Sequence, residues 1–122
     1  MKKEKVLVLK SNYNGQEIWN FPGGKVEEGE TFEETATREV FEECNLKIKN
    51  LKRIEKGKYQ IHDKLWNGMF FYTQFHSGTL KNCEPHKIQQ LAFLHKREIL
   101  SLPSLPFLLY NPLKKASFIV NS

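Results

Sequence analysis

The apolar positions of this chain fall in short runs separated by polar turns, a pattern that predicts strands around one long helix. Val6, Leu7, Val8 and Leu9 follow one another without interruption, so residues 5–10 read as a strand buried on both faces. Asn14-Gly15 is a strong turn signal, and residues 17–21 are expected to return as the second arm of a hairpin. Pro22-Gly23-Gly24 then leads into a loop. Thr31 with Glu34 forms a capping-box pattern, which starts a helix near Thr31 and carries it over residues 31–44. Phe32, Ala36 and Val40 recur every four residues and predict its buried stripe. Residues 47–61 read as a strand, broken or bulged at Gly57, and residues 62–68 as a polar loop carrying Trp66. The aromatic stretch 69–76 is expected to be a central strand, 77–85 a loop, 88–94 a further strand and 95–100 a short helical turn. Beyond it, Pro103, Pro106 and Pro112 interrupt an apolar segment, 102–113, with room for a short helix over 105–110. No repeat, linker or low-complexity tract divides this α/β (α+β) pattern.

At 122 residues the chain suits one domain, 1–122, with a single core. Its longest apolar runs are strand-sized, so no transmembrane helix and no membrane partner are expected. Met-Lys-Lys-Glu-Lys runs straight into the first strand, too quickly for a signal peptide. Cys44 and Cys83 alone make no disulfide framework, and a reduced, cytoplasmic protein is the expectation.

Charge changes the picture of the helix. Eight of the fourteen acidic residues lie between Glu27 and Glu43. Residues 25–43 carry −6 and the remainder +11, for a net +5. Glu39, Glu42 and Glu43 stand at i, i+3 and i+4, so their carboxylates project from one helical turn and repel one another. A solvated face is the ordinary reading of a glutamate-rich helix. A hard divalent cation such as Mg²⁺ is the alternative, because it coordinates several carboxylate oxygens and is often shared with substrate phosphates. An acidic segment in a basic body suits a polyanion carried with its cation. The basic residues are densest at Lys47, Lys49, Lys52, Arg53, Lys56 and Lys58, equally consistent with a solvated lysine-rich strand pair.

The surrounding residues decide between these readings. Gly24, Glu30, Arg38, Glu39, Val40, Glu42, Glu43 and Leu46 fill eight of the nine fixed positions of a known pattern. Over residues 24–46 the chain resembles the Nudix box, G-x5-E-x7-R-E-U-x-E-E-x-G-U with U apolar, and its Phe-Pro-Gly-Gly-Lys-Val-Glu approach resembles the MutT-type branch. Asn45 stands where the family has Gly, at a helix end that wants a left-handed residue, for which Asn is the usual second choice. The resemblance implies a Nudix-like α/β/α sandwich with a mixed β-sheet and the box helix against one face.

The same resemblance implies a Mg²⁺-dependent hydrolase, with Mn²⁺ as the alternative ion, acting on a nucleoside polyphosphate. Glu42 and Glu43 are then the core metal ligands, Glu39 a third ligand or the base, and the Gly23 carbonyl a further ligand. Arg38 would hold a neighbouring carboxylate by its two-pronged guanidinium, and Glu30 would support the loop or join the network. Glu84, in Glu84-Pro85-His86-Lys87, is a candidate extra carboxylate, while Gln89 and Gln90 stand where relatives often carry Glu. Candidate substrate contacts are Trp19, Phe21, Gly24 and Lys25, with Trp66 and residues 70–72 as further aromatic candidates, although strand aromatics are more often core. His62, His76, His86 and His95 show no metal spacing and read as surface or core. No proline lies between Pro22 and Pro85, so the proline of the ADP-ribose subgroup is missing.

Three functional readings follow. A nucleoside (deoxy)triphosphate cleaved to monophosphate and pyrophosphate is the first. Removal of pyrophosphate from an RNA 5′ end, with the 47–58 stretch holding the chain, is the second. A Nudix-fold module that binds nucleotide without turnover is the third, disfavoured by the intact Glu39, Glu42 and Glu43. Either a monomer or a homodimer is compatible with all three.

Overall fold

The computed structural model describes residues 5–13, 15–61 and 64–102. Asn14 of the first turn and the expected helix over 105–110 lie outside them. Strand β1 (Lys5–Tyr13) is the middle of a three-stranded antiparallel sheet, flanked by β2 (Gln16–Asn20) and β7 (Ile88–His95). Its uninterrupted apolar run has a direct cause in packing. Val6 and Val8 face Trp19 and Ile99, whereas Leu7 faces Val40, Cys44, Leu46 and Ile48. The strand is therefore a wall between two apolar clusters. Burying an aliphatic side chain of this size contributes about 1.5–3 kcal/mol, so a polar residue at any of these positions is costly.

Helix α1 (Phe32–Cys44) packs on the Leu7 side. Its capping box is formed in both directions: Glu34 N–H donates to Thr31 Oγ1 at 3.1 Å, and Thr31 N–H to Glu34 Oε1 at 2.9 Å. The predicted stripe is corrected by the structure. Thr35, Val40, Glu43 and Cys44 are the buried positions, while Phe32 and Ala36 are only half-buried. The face turned inward is thus rotated toward the carboxylate side of the helix, and Glu43 goes in with it.

The helix ends as the Asn-for-Gly departure requires. Asn45 is left-handed (φ 64°, ψ 21°), its N–H donates to Phe41 O at 3.0 Å, and its side-chain Nδ2 donates to Thr79 O at 2.9 Å. The last helical carbonyls are taken by the loop before β7: Lys81 N–H donates to Cys44 O at 3.0 Å and Cys83 N–H to Glu43 O at 3.1 Å. Gly78 makes this approach sterically feasible. It has φ +103°, and a Cβ there would stand 2.8 Å from Asn45 O.

The remaining strands differ from expectation. The stretch 47–61 divides into β3 (Lys47–Lys49) and β4 (Lys52–Ile61), because Asn50 takes a left-handed conformation (φ 56°) between them. Gly57 pairs in register with Gly68, and the irregularity falls instead between Arg53 and Glu55. The expected loop over 62–68 shrinks, since β5 (Lys64–Tyr72) already begins at Lys64 and pairs along β4, with Trp66 opposite Tyr59. The expected central strand over 69–76 is divided too: β5 stops at Tyr72, and β6 (Phe75–Ser77) pairs with β3. Thr73 marks that break, its hydroxyl donating to Lys49 O and accepting the Phe75 N–H. Among the described residues all four strand pairings are antiparallel, in three separate sheets. The short helix α2 (Lys96–Leu100) follows β7 as predicted and buries Ile99.

Replacement of Asn45 tests the helix end. Asn45→Gly is expected to unfold near the wild-type denaturant midpoint, backbone relief offsetting the lost bond to Thr79. Asn45→Val is expected to lose about 1 kcal/mol or more, and Gly78→Ala a similar amount, because each forces a side chain into a left-handed position. Coincident midpoints for all four proteins would contradict this reading.

Candidate active site

Arg38, midway along α1, organises the acidic segment. Its Nε and Nη2 donate to the two oxygens of Glu30 at 2.7 and 2.9 Å, a bidentate pair. Nη1 donates to Glu39 Oε1 and to Glu42 Oε1, the latter at 3.1 Å, and Nη2 also reaches the Lys25 carbonyl at 3.2 Å. Glu30 accepts two further bonds, from Glu27 N–H at 2.9 Å and from the Thr35 hydroxyl at 3.0 Å. Four donors occupy its carboxylate, and the Arg38 bond above all holds its pKa down at about 2. Glu30 is therefore the bracket that fixes the loop to the helix.

Glu39 and Glu43 occupy the inner side of the same turn. The Glu39 side chain lies directly over Gly24, where a Cβ would come within 2.4 Å of its carboxyl carbon. A side chain at that position would displace the Glu39 carboxylate. Glu43 is the most enclosed carboxylate, 3% exposed, and its Oε1 accepts the Gly23 N–H at 3.0 Å. Burial pushes its pKa up to about 7; the negative charges of Glu39 and Glu84 add to the rise, and the Gly23 N–H and Lys87 oppose it. It is thus the Gly23 N–H that meets the site side chain in this arrangement. Glu42 lies outermost, half exposed beside Arg38.

Glu84 joins this group from across the fold. The loop that caps α1 brings it there, and Asn82 Oδ1 accepts the Glu84 N–H at 3.0 Å. Lys87 Nζ stands 3.9 Å from Glu43 Oε2 and 3.9 Å from Glu84 Oε1, so it spans the two carboxylates. Sequence reasoning placed Glu84 near the site without fixing its path, named Lys87 in the same element without giving it a role, and passed over Asn82. The available signal was the lysine three residues after Glu84, at the end of a tight turn.

No three carboxylate, imidazole or thiolate groups among the described residues already converge as a finished metal cage. Like charges keep apart and divide between two cations, Arg38 holding Glu30, Glu39 and Glu42, and Lys87 facing Glu43 and Glu84. The donor set nevertheless fits a hard divalent ion: all-oxygen, anionic, with one buried carboxylate whose charge is disfavoured where it stands.

The substrate candidates separate. Trp19 is corrected: it is buried among Val6, Val8 and Ile99, with Lys10 Nζ 5.7 Å from its ring centroid, and belongs to the core. Phe21 is half-buried and meets Phe70 edge-on, the ring centroids 6.1 Å apart. Lys25 is exposed beside the Arg38 network. Of the basic stretch, Arg53 is held by Glu33 through two bonds of 2.9 Å, whereas Lys47, Lys49 and Lys52 are exposed. His76 stacks on Phe93, His86 is exposed and His95 precedes α2; His62 lies outside the described residues.

The Glu30 bracket has a definite pH signature. A carboxylate with a depressed folded pKa contributes stability above its unfolded value and loses it as pH falls through the folded one. Glu30→Gln is therefore expected to melt below the wild type at pH 7. The gap should close between the ordinary value of 4.5 and about 2. A gap unchanged across that window would show that the carboxylate charge contributes nothing.

Comparison with known proteins agrees with this geometry. The NUDIX domain family model matches residues 1–115. An 8-oxo-dGTP diphosphatase of Buchnera aphidicola subsp. Acyrthosiphon pisum is 27% identical over 124 residues, covering 98% of this chain and 95% of the relative. The NAD-capped RNA hydrolase NudC of Pectobacterium carotovorum subsp. carotovorum is 28% identical over 100 residues, covering 82% of this chain; the match spans 37% of that relative's length. The crystal structure of a MutT NUDIX hydrolase from Burkholderia pseudomallei superposes with a TM-score of 0.82 at 20% identity, covering 95% of this chain and 91% of the other. The box on α1, its Arg38 network and the match over nearly the whole sequence converge: the chain belongs to the NUDIX domain family.

Proposed function

We propose that this single-domain protein is a Mg²⁺-dependent pyrophosphohydrolase of nucleoside (deoxy)triphosphates, with Mn²⁺ as an alternative ion and the cytoplasm as its place of work. The observation that carries this reading is the placement of Glu39 against Gly24 and Glu43 against Gly23, with Glu84 linked to Glu43 through Lys87, an anionic setting that suits a cation and its phosphate ligand. Glu43, Glu42 and Glu39 would hold the ion, with Glu84 as the carboxylate from the facing loop. Such an ion, when bound, neutralises phosphate charge and favours ionised water.

The chain's own residues do the rest. A carboxylate takes one proton from water, the water oxygen bonds to phosphorus, and the bridging P–O bond breaks with its electron pair on the departing oxygen, giving monophosphate and pyrophosphate. We assign the proton to Glu39, because Arg38 and the Gly24 backbone fix its position. Arg38 and Glu30 position this carboxylate and do not take part in bond making. Phe21 and Lys25 border the site as candidate contacts for the nucleotide.

A second reading, an RNA 5′ end as substrate, is favoured by one comparison. The RNA pyrophosphohydrolase of Pseudoalteromonas atlantica is 43% identical over 51 residues, covering 42% of this chain and 29% of that protein. The exposed Lys47, Lys49 and Lys52 are the groups that would hold such a strand. Assay of a panel of nucleotides and of triphosphorylated RNA with Mg²⁺, with product identification, separates the two. Activity confined to RNA and falling steeply with salt supports the second.

Substitution of the carboxylates tests the assignments. Glu43→Gln is expected to fold and to lose most Mg²⁺-dependent hydrolysis, since it keeps the shape and removes a ligand charge. Glu39→Gln should lose a factor of about 10²–10⁴ in turnover with substrate affinity changed less. Glu84→Gln should lose under about tenfold if Glu84 supplements the ion, and as much as Glu39→Gln if it is the base. Loss on Glu84→Gln with retention on Glu39→Gln would reverse the assignment.

A further inference from the structure

Lys87 is a cation set among the carboxylates that the proposed function gives to the metal. Its ammonium lies 3.9 Å from both Glu43 Oε2 and Glu84 Oε1. Arg38 pairs with Glu27, Glu30, Glu39 and Glu42, leaving Lys87 as the cation paired with the other two carboxylates among the described residues. Glu43 Oε1 is already engaged by the Gly23 N–H, so Oε2 is the oxygen open to a cation.

The two ends of Lys87 differ in freedom. Its backbone is fixed, the Lys87 and Ile88 N–H groups both donating to Glu84 O at 2.9 and 2.8 Å, and Ile88 is buried. Its side chain is 54% exposed and its ion pairs are long. A loosely held ammonium on a four-carbon stem can swing without disturbing its anchor. A divalent ion takes carboxylate oxygens at about 2.0–2.1 Å, far closer than this ammonium stands, and the two charges repel.

We propose that Lys87 is the internal counter-ion of the metal site, displaced when the divalent ion binds, and that the displaced ammonium then contacts the substrate's phosphates. It exchanges one anionic partner for another. In the metal-free protein it offsets the repulsion between Glu43 and Glu84. In the loaded protein its charge would sit at the site's edge, where a polyphosphate arrives with more negative charge than one ion neutralises. This rests on the proposed hydrolase reading, but its first test does not.

The test measures Mn²⁺ affinity without substrate, by electron paramagnetic resonance of the free ion, in the full chain and in Lys87→Met and Lys87→Arg. Lys87→Met, which keeps the stem and removes the charge, is expected to bind Mn²⁺ about threefold to tenfold more tightly, because a competing cation is gone. Lys87→Arg should stay within about twofold of the wild type, since the charge remains. With the ion saturating, Lys87→Met should raise KM for a nucleoside triphosphate about tenfold while kcat changes less. Thermal melting of each variant shows that it is folded. Unchanged or weaker Mn²⁺ binding by folded Lys87→Met overturns the counter-ion role. Tighter binding with unaltered KM overturns the phosphate contact. A protein that binds Mn²⁺ as described but hydrolyses no phosphoanhydride refutes the proposed function and leaves the counter-ion standing.

Discussion

Carboxylates crowded onto one helical turn repel, and this fold answers that constraint with a single guanidinium. Arg38 reaches Glu30, Glu39, Glu42 and the Lys25 carbonyl from one side chain. Its planar fork satisfies several acceptors at fixed angles, which an ammonium does not do. Because Glu30 belongs to the preceding loop and Glu39 and Glu42 to α1, the same group that tempers the repulsion also sets the loop's path. The Gly23-Gly24 turn is thereby held against the inner carboxylates. Charge neutralisation and loop geometry are one interaction here.

The helix is in turn placed by β1. Leu7 on one face of that strand meets Val40 and Cys44, so the inner side of α1 is determined by which residues of β1 point toward it. Glu43 lies next to Cys44 on this inner side and is buried as a consequence of its position. An ionised carboxylate in such a place is tolerated only with hydrogen bonds and countercharge. The Gly23 N–H and Lys87 supply part of both.

Local signals in the chain were the readable ones. The capping box at Thr31, the left-handed end at Asn45 and the double-sided burial of Val6 to Leu9 each depend on neighbouring residues and hydrogen-bond chemistry, and each appears as expected. The carboxylate spacing on α1 likewise follows from helical geometry. What could not be read depends on partners far along the chain. Trp19 resembles a stacking residue until β1 and Ile99 close over it. The strand boundaries at Asn50 and Thr73 are set by cross-strand pairing, since the Thr73 hydroxyl bonds to Lys49 O across the ladder. Glu84 and Lys87 meet Glu43 only because the loop before β7 folds onto the helix end.

That docking has a dynamic consequence. Backbone amides of Lys81 and Cys83 are bonded to carbonyls of Cys44 and Glu43, so this loop completes the last turn of α1. Loops of this kind often flutter independently of the scaffold, opening at little free-energy cost. Here such an opening would strip the helix of its terminal acceptors' partners, and so the loop shares the cooperative unit to which the helix end belongs. Amide protons in 81–83 should then exchange with solvent on the helix's timescale, slow for an irregular surface segment. Access to the site would have to come from elsewhere, and Glu84 would stay at its post through each turnover.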